Sequence, residues 1–121
     1  MPKSILIVDD EVVIADISRR KLEERGYEAM VAHNGEEALG QLSVRMPDLI
    51  ILDVQMPDMN GYTFMLEKDK NPAFVNIPVI VVTATHETEP LFKRHHVAAY
   101  LMKPMKLHDL VDKVVEILGP A

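Results

Sequence analysis

The sequence predicts an α/β fold: five βα units wound into one parallel sheet with helices on both faces. Three observations predict it. Apolar runs recur near residues 4, 28, 48, 78 and 98, a spacing of about one βα unit. The runs are continuous rather than alternating, as in strands covered on both sides. Between them lie segments whose apolar residues fall at helical spacing. Such a succession builds a doubly wound sheet with right-handed crossovers.

Each element has its own warrant. Ile5-Leu6-Ile7-Val8 forms the first strand. Residues 11–25 follow as a helix, with Ile14, Ile17, Lys21 and Leu22 on one stripe and Gly26 as a C-cap. After a second strand near residue 28, residues 35–45 carry Ala38, Leu39 and Leu42 at helical spacing. Leu49-Ile50-Ile51-Leu52 is the third strand, and 60–69 a short helix opening at Asn60-Gly61 with Phe64 and Met65 inside. Val79-Ile80-Val81-Val82 is the fourth strand. Thr88-Glu89-Pro90 then reads as a helix start, with Pro90 in the first turn. Ala99-Tyr100-Leu101-Met102 closes the sheet. Residues 107–118 turn Leu107, Leu110, Val111, Val114, Val115 and Leu118 inward until Gly119-Pro120 stops them.

The chain of 121 residues is expected to be one domain, 1–121, without linker, repeat or room for an output module. A formal net charge of −6 argues against a nucleic-acid footprint and against docking on an anionic membrane. The absence of cysteine excludes thiolate catalysis and disulfides. No stretch approaches a membrane span and no signal peptide opens the chain, so a cytoplasmic protein is expected.

Four of the apolar runs end in a residue that can do chemistry: Asp9-Asp10, Asp53, Thr83 and Lys103. In a parallel sheet these endings meet at the carboxyl edge, where open α/β folds place their sites. Asp9 or Asp10 could cap the following helix, but a cap needs one carboxylate. Two adjacent acids repel, and Asp53 adds to the repulsion. A hard divalent cation, Mg²⁺ above all, suits such a cluster. Asp53 at a strand tip can act as a nucleophile on phosphorus, giving an acyl phosphate. It could also cap the loop after it, yet Pro57-Asp58 and Asn60-Gly61 already turn that loop. A phosphoryl group there needs a cation and a donor besides the metal, which Lys103 and Thr83 supply. Alone, a strand-end lysine is a solvated end and a strand threonine a β-former. Pro104 permits a cis bond after Lys103.

The order and spacing of Asp9-Asp10, Asp53 with Met56-Pro57 and Gly61, Thr83-Ala84 and Lys103-Pro104 resemble the receiver domain of bacterial response regulators, over residues 4 to 118. The resemblance implies a flavodoxin-like sheet of order 2-1-3-4-5. It implies that Asp53 accepts a phosphoryl group from a histidine kinase or histidine phosphotransfer protein, and that Asp10 and Asp53 bind Mg²⁺ with the backbone carbonyl of Gln55. Asp9 would act through a metal-bound water, Thr83 and Lys103 would hold the phosphate, and Tyr100 would be the aromatic switch. It implies signalling to a downstream protein as a monomer or phosphorylation-dependent homodimer. The chain would be no enzyme beyond its own phosphoryl transfer and autodephosphorylation. It departs from the family at His95-His96-Val97-Ala98-Ala99, where Gly-Ala and acids are common, and at Met105, where an aromatic often stands. By the resemblance, Gln55 and Thr85 occupy positions that tune phosphoryl lifetime in the family.

Other features read as ordinary structure. The histidines show no i, i+4 pair or acid grouping, so no histidine metal site is expected, and His95-His96 read as solvated helix-end residues. Met56, Met59, Met102 and Met105 read as adaptable packing. Ile14 and Ile17 read as half-buried core rather than a kinase-docking face. An aspartyl-phosphate phosphatase of the haloacid-dehalogenase type would want Asp-x-Asp at the first strand. A flavodoxin would want a Ser/Thr/Gly-rich loop where Asp9-Asp10-Glu11 stand. A degenerate binding-only receiver would lack the acceptor or the lysine, and neither is missing.

Overall fold

Ile5–Val8, Leu49–Leu52 and Val79–Val82 are buried along their whole length, which is why their sequences are uniformly apolar. The computed structural model describes residues 2–54, 61–84, 89–92, 95 and 97–121. Its elements run β1 (Ser4–Val8), α1 (Val12–Glu24), β2 (Glu28–Ala32), α2 (Gly35–Val44), β3 (Leu49–Asp53), α3 (Gly61–Asp69), β4 (Val79–Thr83), α4 (Glu89–Phe92), β5 (Val97–Met102) and α5 (Leu107–Leu118). All strand pairs are parallel and the sheet order is β2-β1-β3-β4-β5. This is the expected order.

Strand periodicity divides the core in two. Ile5, Ile7, Leu49, Ile51, Ile80 and Val82 face α1 and α5, meeting Ala15, Leu22, Leu110, Val111 and Val114. Leu6, Val8, Ile50, Leu52, Val79 and Val81 face α2, α3 and α4, meeting Ala38, Leu42, Phe64, Met65 and Phe92. The edge strands β2 and β5 are only partly buried. β5 starts at Val97, earlier than its apolar run suggests. Its register against β4 slips between Val79↔Val97 and Ile80↔Ala99, so Ala98 is an extra, exposed residue.

Helix ends follow local chemistry. The Asn34 side chain accepts from the Glu37 N–H at 2.8 Å, and Glu36 and Glu37 occupy the positive first turn of α2. Gly26 (φ 93°) and Gly119 (φ 79°) take left-handed backbone after α1 and α5. The expected starts at Asn60 for α3 and Thr88 for α4 lie outside the described residues.

The stripe expected on α1 is corrected. Ala15, Ser18 and Leu22 are its buried residues, whereas Ile14 and Ile17 are 48% and 47% exposed. Apolar residues stand on two faces of this helix, and periodicity alone cannot say which one meets the sheet.

Candidate functional site

The ends of β1, β3, β4 and β5 deliver Asp9 and Asp10, Asp53, Thr83 and Lys103 to the carboxyl edge. Asp9 directly follows β1, its N–H donating to the Ala32 carbonyl at 3.0 Å. Its Oδ1 accepts from the Glu11 N–H at 2.9 Å and so turns the chain into α1. Asp53 ends β3 and is 4% exposed; Thr83 ends β4 and is fully buried. The Lys103 N–H donates to the Thr83 carbonyl at 2.7 Å, carrying the β4–β5 pairing one residue beyond the strand. From there Lys103 Nζ donates to Asp53 Oδ2 at 2.9 Å. The Lys103–Pro104 bond is cis, an isomer that Pro104 permits.

One carboxylate oxygen each from Asp9, Asp10 and Asp53 lies within 4.8 Å of the others. Burial raises the Asp9 pKa to about 6, opposed by the Glu11 N–H and aided by the charge of Asp53. For Lys103, burial works against the charge. The hydrogen bond and charge of Asp53, with Asp9 behind them, outweigh it and raise its pKa. Three acids against one ammonium leave a deficit of positive charge. An all-oxygen donor set this tight fits a hard dication such as Mg²⁺. The backbone carbonyl of Gln55 lies outside the described residues. A small cavity walled by Ile14, Ser18, Met105 and Leu110 reaches Asp9, Asp53 and Lys103. Met105 is partly buried against the core on the α1 and α5 side, as expected; Met56 and Met59 lie outside the described residues.

Gly61 has a stricter role than loop turning. Its N–H donates to the Val54 carbonyl at 2.9 Å. A Cβ there would stand 2.7 Å from Val54 Cα and 3.1 Å from the Asp53 carbonyl oxygen. Only glycine lets α3 begin against the backbone of the acid at the tip of β3.

Tyr100 is partly buried, its ring edge-to-face with Phe92 at 6.3 Å. Phe92 meets Tyr62 at 5.6 Å, and Tyr62 meets His95 at 5.9 Å. His95 is therefore not the solvated residue expected. Its side chain is 12% exposed and its Nδ1–H donates to Asp69 Oδ2. His96 and Thr85 lie outside the described residues. An acid grouping beside a histidine also exists, contrary to expectation, at His108, Asp109 and Asp112. It is exposed in the first turns of α5, where the positive helix end disfavours a cation.

A family model described as the response regulator receiver domain matches residues 5–115. The chain is 32% identical to the polar-differentiation response regulator DivK of Brucella anthropi, over 100% of both chains. It resembles the solved structure of the chemotaxis protein CheY4 of Vibrio cholerae at 28% identity, covering 98% of this chain and 100% of that one, with a TM-score of 0.90. TrrA of Thermotoga maritima, solved in complex with Mg²⁺-BeF, is 34% identical over 96% of this chain and 99% of that one, with a TM-score of 0.82. The chain spans about half the length of the transcriptional regulators it also matches.

Proposed function

The chain belongs to the response regulator receiver family, whose members signal through phosphorylation, and we propose that here Asp53 is the residue phosphorylated. The observation that carries this is the ion pair of Lys103 Nζ with Asp53 Oδ2 beside the Asp9–Asp10–Asp53 cluster. A carboxylate oxygen of Asp53 attacks the phosphorus of a phosphohistidine; the O–P bond forms as the N–P bond breaks, and the imidazole leaves. Lys103 binds a phosphoryl oxygen and offsets its charge, and Thr83 donates its hydroxyl to another. Asp10 and Asp53, with the Gln55 backbone carbonyl, would hold Mg²⁺, and Asp9 would act through water. The bound cation would neutralise the entering phosphoryl oxygens.

The partners are a histidine kinase or histidine phosphotransfer protein on one side and a downstream protein on the other. Val12, Val13, Ile14 and Ile17 expose an apolar face of α1 next to Asp10, which supports donor docking there. Output passes through Thr83, drawn toward the phosphate, and Tyr100, whose ring then turns and remodels the surface of α4, β5 and α5. Turnover is confined to the chain's own phosphoryl transfer and its hydrolysis. Membership of the receiver family supports a cytoplasmic protein; no helix among the described residues is long and apolar enough to cross a membrane. Beryllofluoride with Mg²⁺ should raise the melting temperature of the wild type and not of Asp53→Ala. Equal shifts in both would refute the assignment.

A further inference from the structure

We propose that Lys68, Asp69 and His95 form a clasp that restrains the switch, so that phosphorylation must work against it. Lys68 is fully buried, and its Nζ donates to Asp69 Oδ1 at 2.9 Å and to the Val75 carbonyl at 3.3 Å. The other Asp69 oxygen accepts from His95 Nδ1. Held from both sides, Asp69 ties the segment before β5 to the last turn of α3. His95 N–H in turn donates to the Phe92 carbonyl at 3.1 Å, linking the clasp to α4.

Two structural routes lead from this clasp to the site. The first is the row of edge-to-face rings from His95 through Tyr62 and Phe92 to Tyr100. Tyr100 cannot turn without Phe92 giving up its contact, and Phe92 is packed against a ring that His95 braces. The second is α3 itself. It starts at Gly61, pressed on the backbone beside Asp53, and ends at Asp69, about 12 Å further along the helix axis. One short helix therefore has one end at the acceptor and the other in the clasp.

The inference rests on Asp53 as acceptor and Tyr100 as switch. The clasp favours the arrangement described here, so loosening it lowers the work of leaving that arrangement. Reciprocity of coupling then requires tighter binding of a phosphoryl analogue at Asp53. Calorimetric titration of the full chain with beryllofluoride and Mg²⁺ tests this. His95→Ala and Asp69→Asn should each tighten binding about 5-fold, and the double variant no more than either alone, because both break one unit. His95→Asn, which restores a donor near the Nδ1 position, should return the affinity toward wild type. A residue with a purely structural role would lower the melting temperature and leave the affinity unchanged. That result, weaker binding, or an effect in the double variant equal to the product of the two overturns the clasp. A wild type that binds no beryllofluoride instead refutes the reading of Asp53, and the inference falls with it.

Discussion

Replacing Asp9 with asparagine should stabilise the metal-free protein. Asp9 is 9% exposed as a residue, and its carboxylate shares its site with Asp53. Its pKa stands at about 6 against an ordinary 3.8. At 1.36 kcal/mol per unit, that shift is about 3 kcal/mol of preference for the protonated form. The amide oxygen of Asp9→Asn would keep the acceptor for the Glu11 N–H while the charge is removed. In EDTA at pH 7.5, urea melts should show the variant about 1–3 kcal/mol more stable. The sign with pH follows. The folded state binds the Asp9 proton more tightly than the unfolded chain, so wild type gains on the variant as pH falls through about 6. The gap closes near 4, where the unfolded chain also takes up the proton. Saturating Mg²⁺ should reverse the ranking by compensating the charge that the variant lacks. A variant no more stable than wild type in EDTA, or a gap that does not shrink with acid, would show that Asp9 carries no such electrostatic cost.

Gly61→Ala should cost about 1–3 kcal/mol in urea melts, because its Cβ must displace Val54 Cα from 2.7 Å. It should also slow phosphorylation by acetyl phosphate, since α3 is pushed off the backbone beside Asp53; a fully wild-type rate would show that α3 need not seat so closely. Lys103→Ala should slow that reaction on the order of 100-fold while keeping the Mg²⁺-induced rise in melting temperature; an unaltered rate would remove Lys103 from phosphoryl binding. Val13→Glu, at a position 70% exposed, should leave stability within about 0.5 kcal/mol and the acetyl phosphate rate intact, yet slow transfer from a phosphohistidine donor. Equal slowing with both donors would refute docking on α1.

How much of this the sequence disclosed depends on whether the signal was local. The inner strands were legible because burial on both faces makes an unbroken apolar run. The acids, Thr83 and Lys103 were legible because each ends such a run, and parallel pairing gathers strand ends. α5 was legible because its apolar residues share a single face. α1 was misjudged because small Ala15 and polar Ser18 occupy its buried side while larger Ile14 and Ile17 stay exposed. Residue size and polarity there reverse the usual inference from sequence to burial. The Asp69–His95 pair joins residues 26 positions apart, and neither residue sits in a pattern that points to the other. Gly61 showed itself as a turn former, whereas its closeness to Val54 exists only once α3 has docked. The start of β5 was displaced because the bulge at Ala98 carries no apolar signature.

The most direct test of Asp53 as phosphoacceptor is intact mass after incubation with acetyl phosphate and Mg²⁺, on wild type and on Asp53→Asn. The account predicts one added phosphoryl group on the wild type, released by mild base as acyl phosphates are, and none on the variant. The same base-labile adduct at the same yield on Asp53→Asn would contradict it.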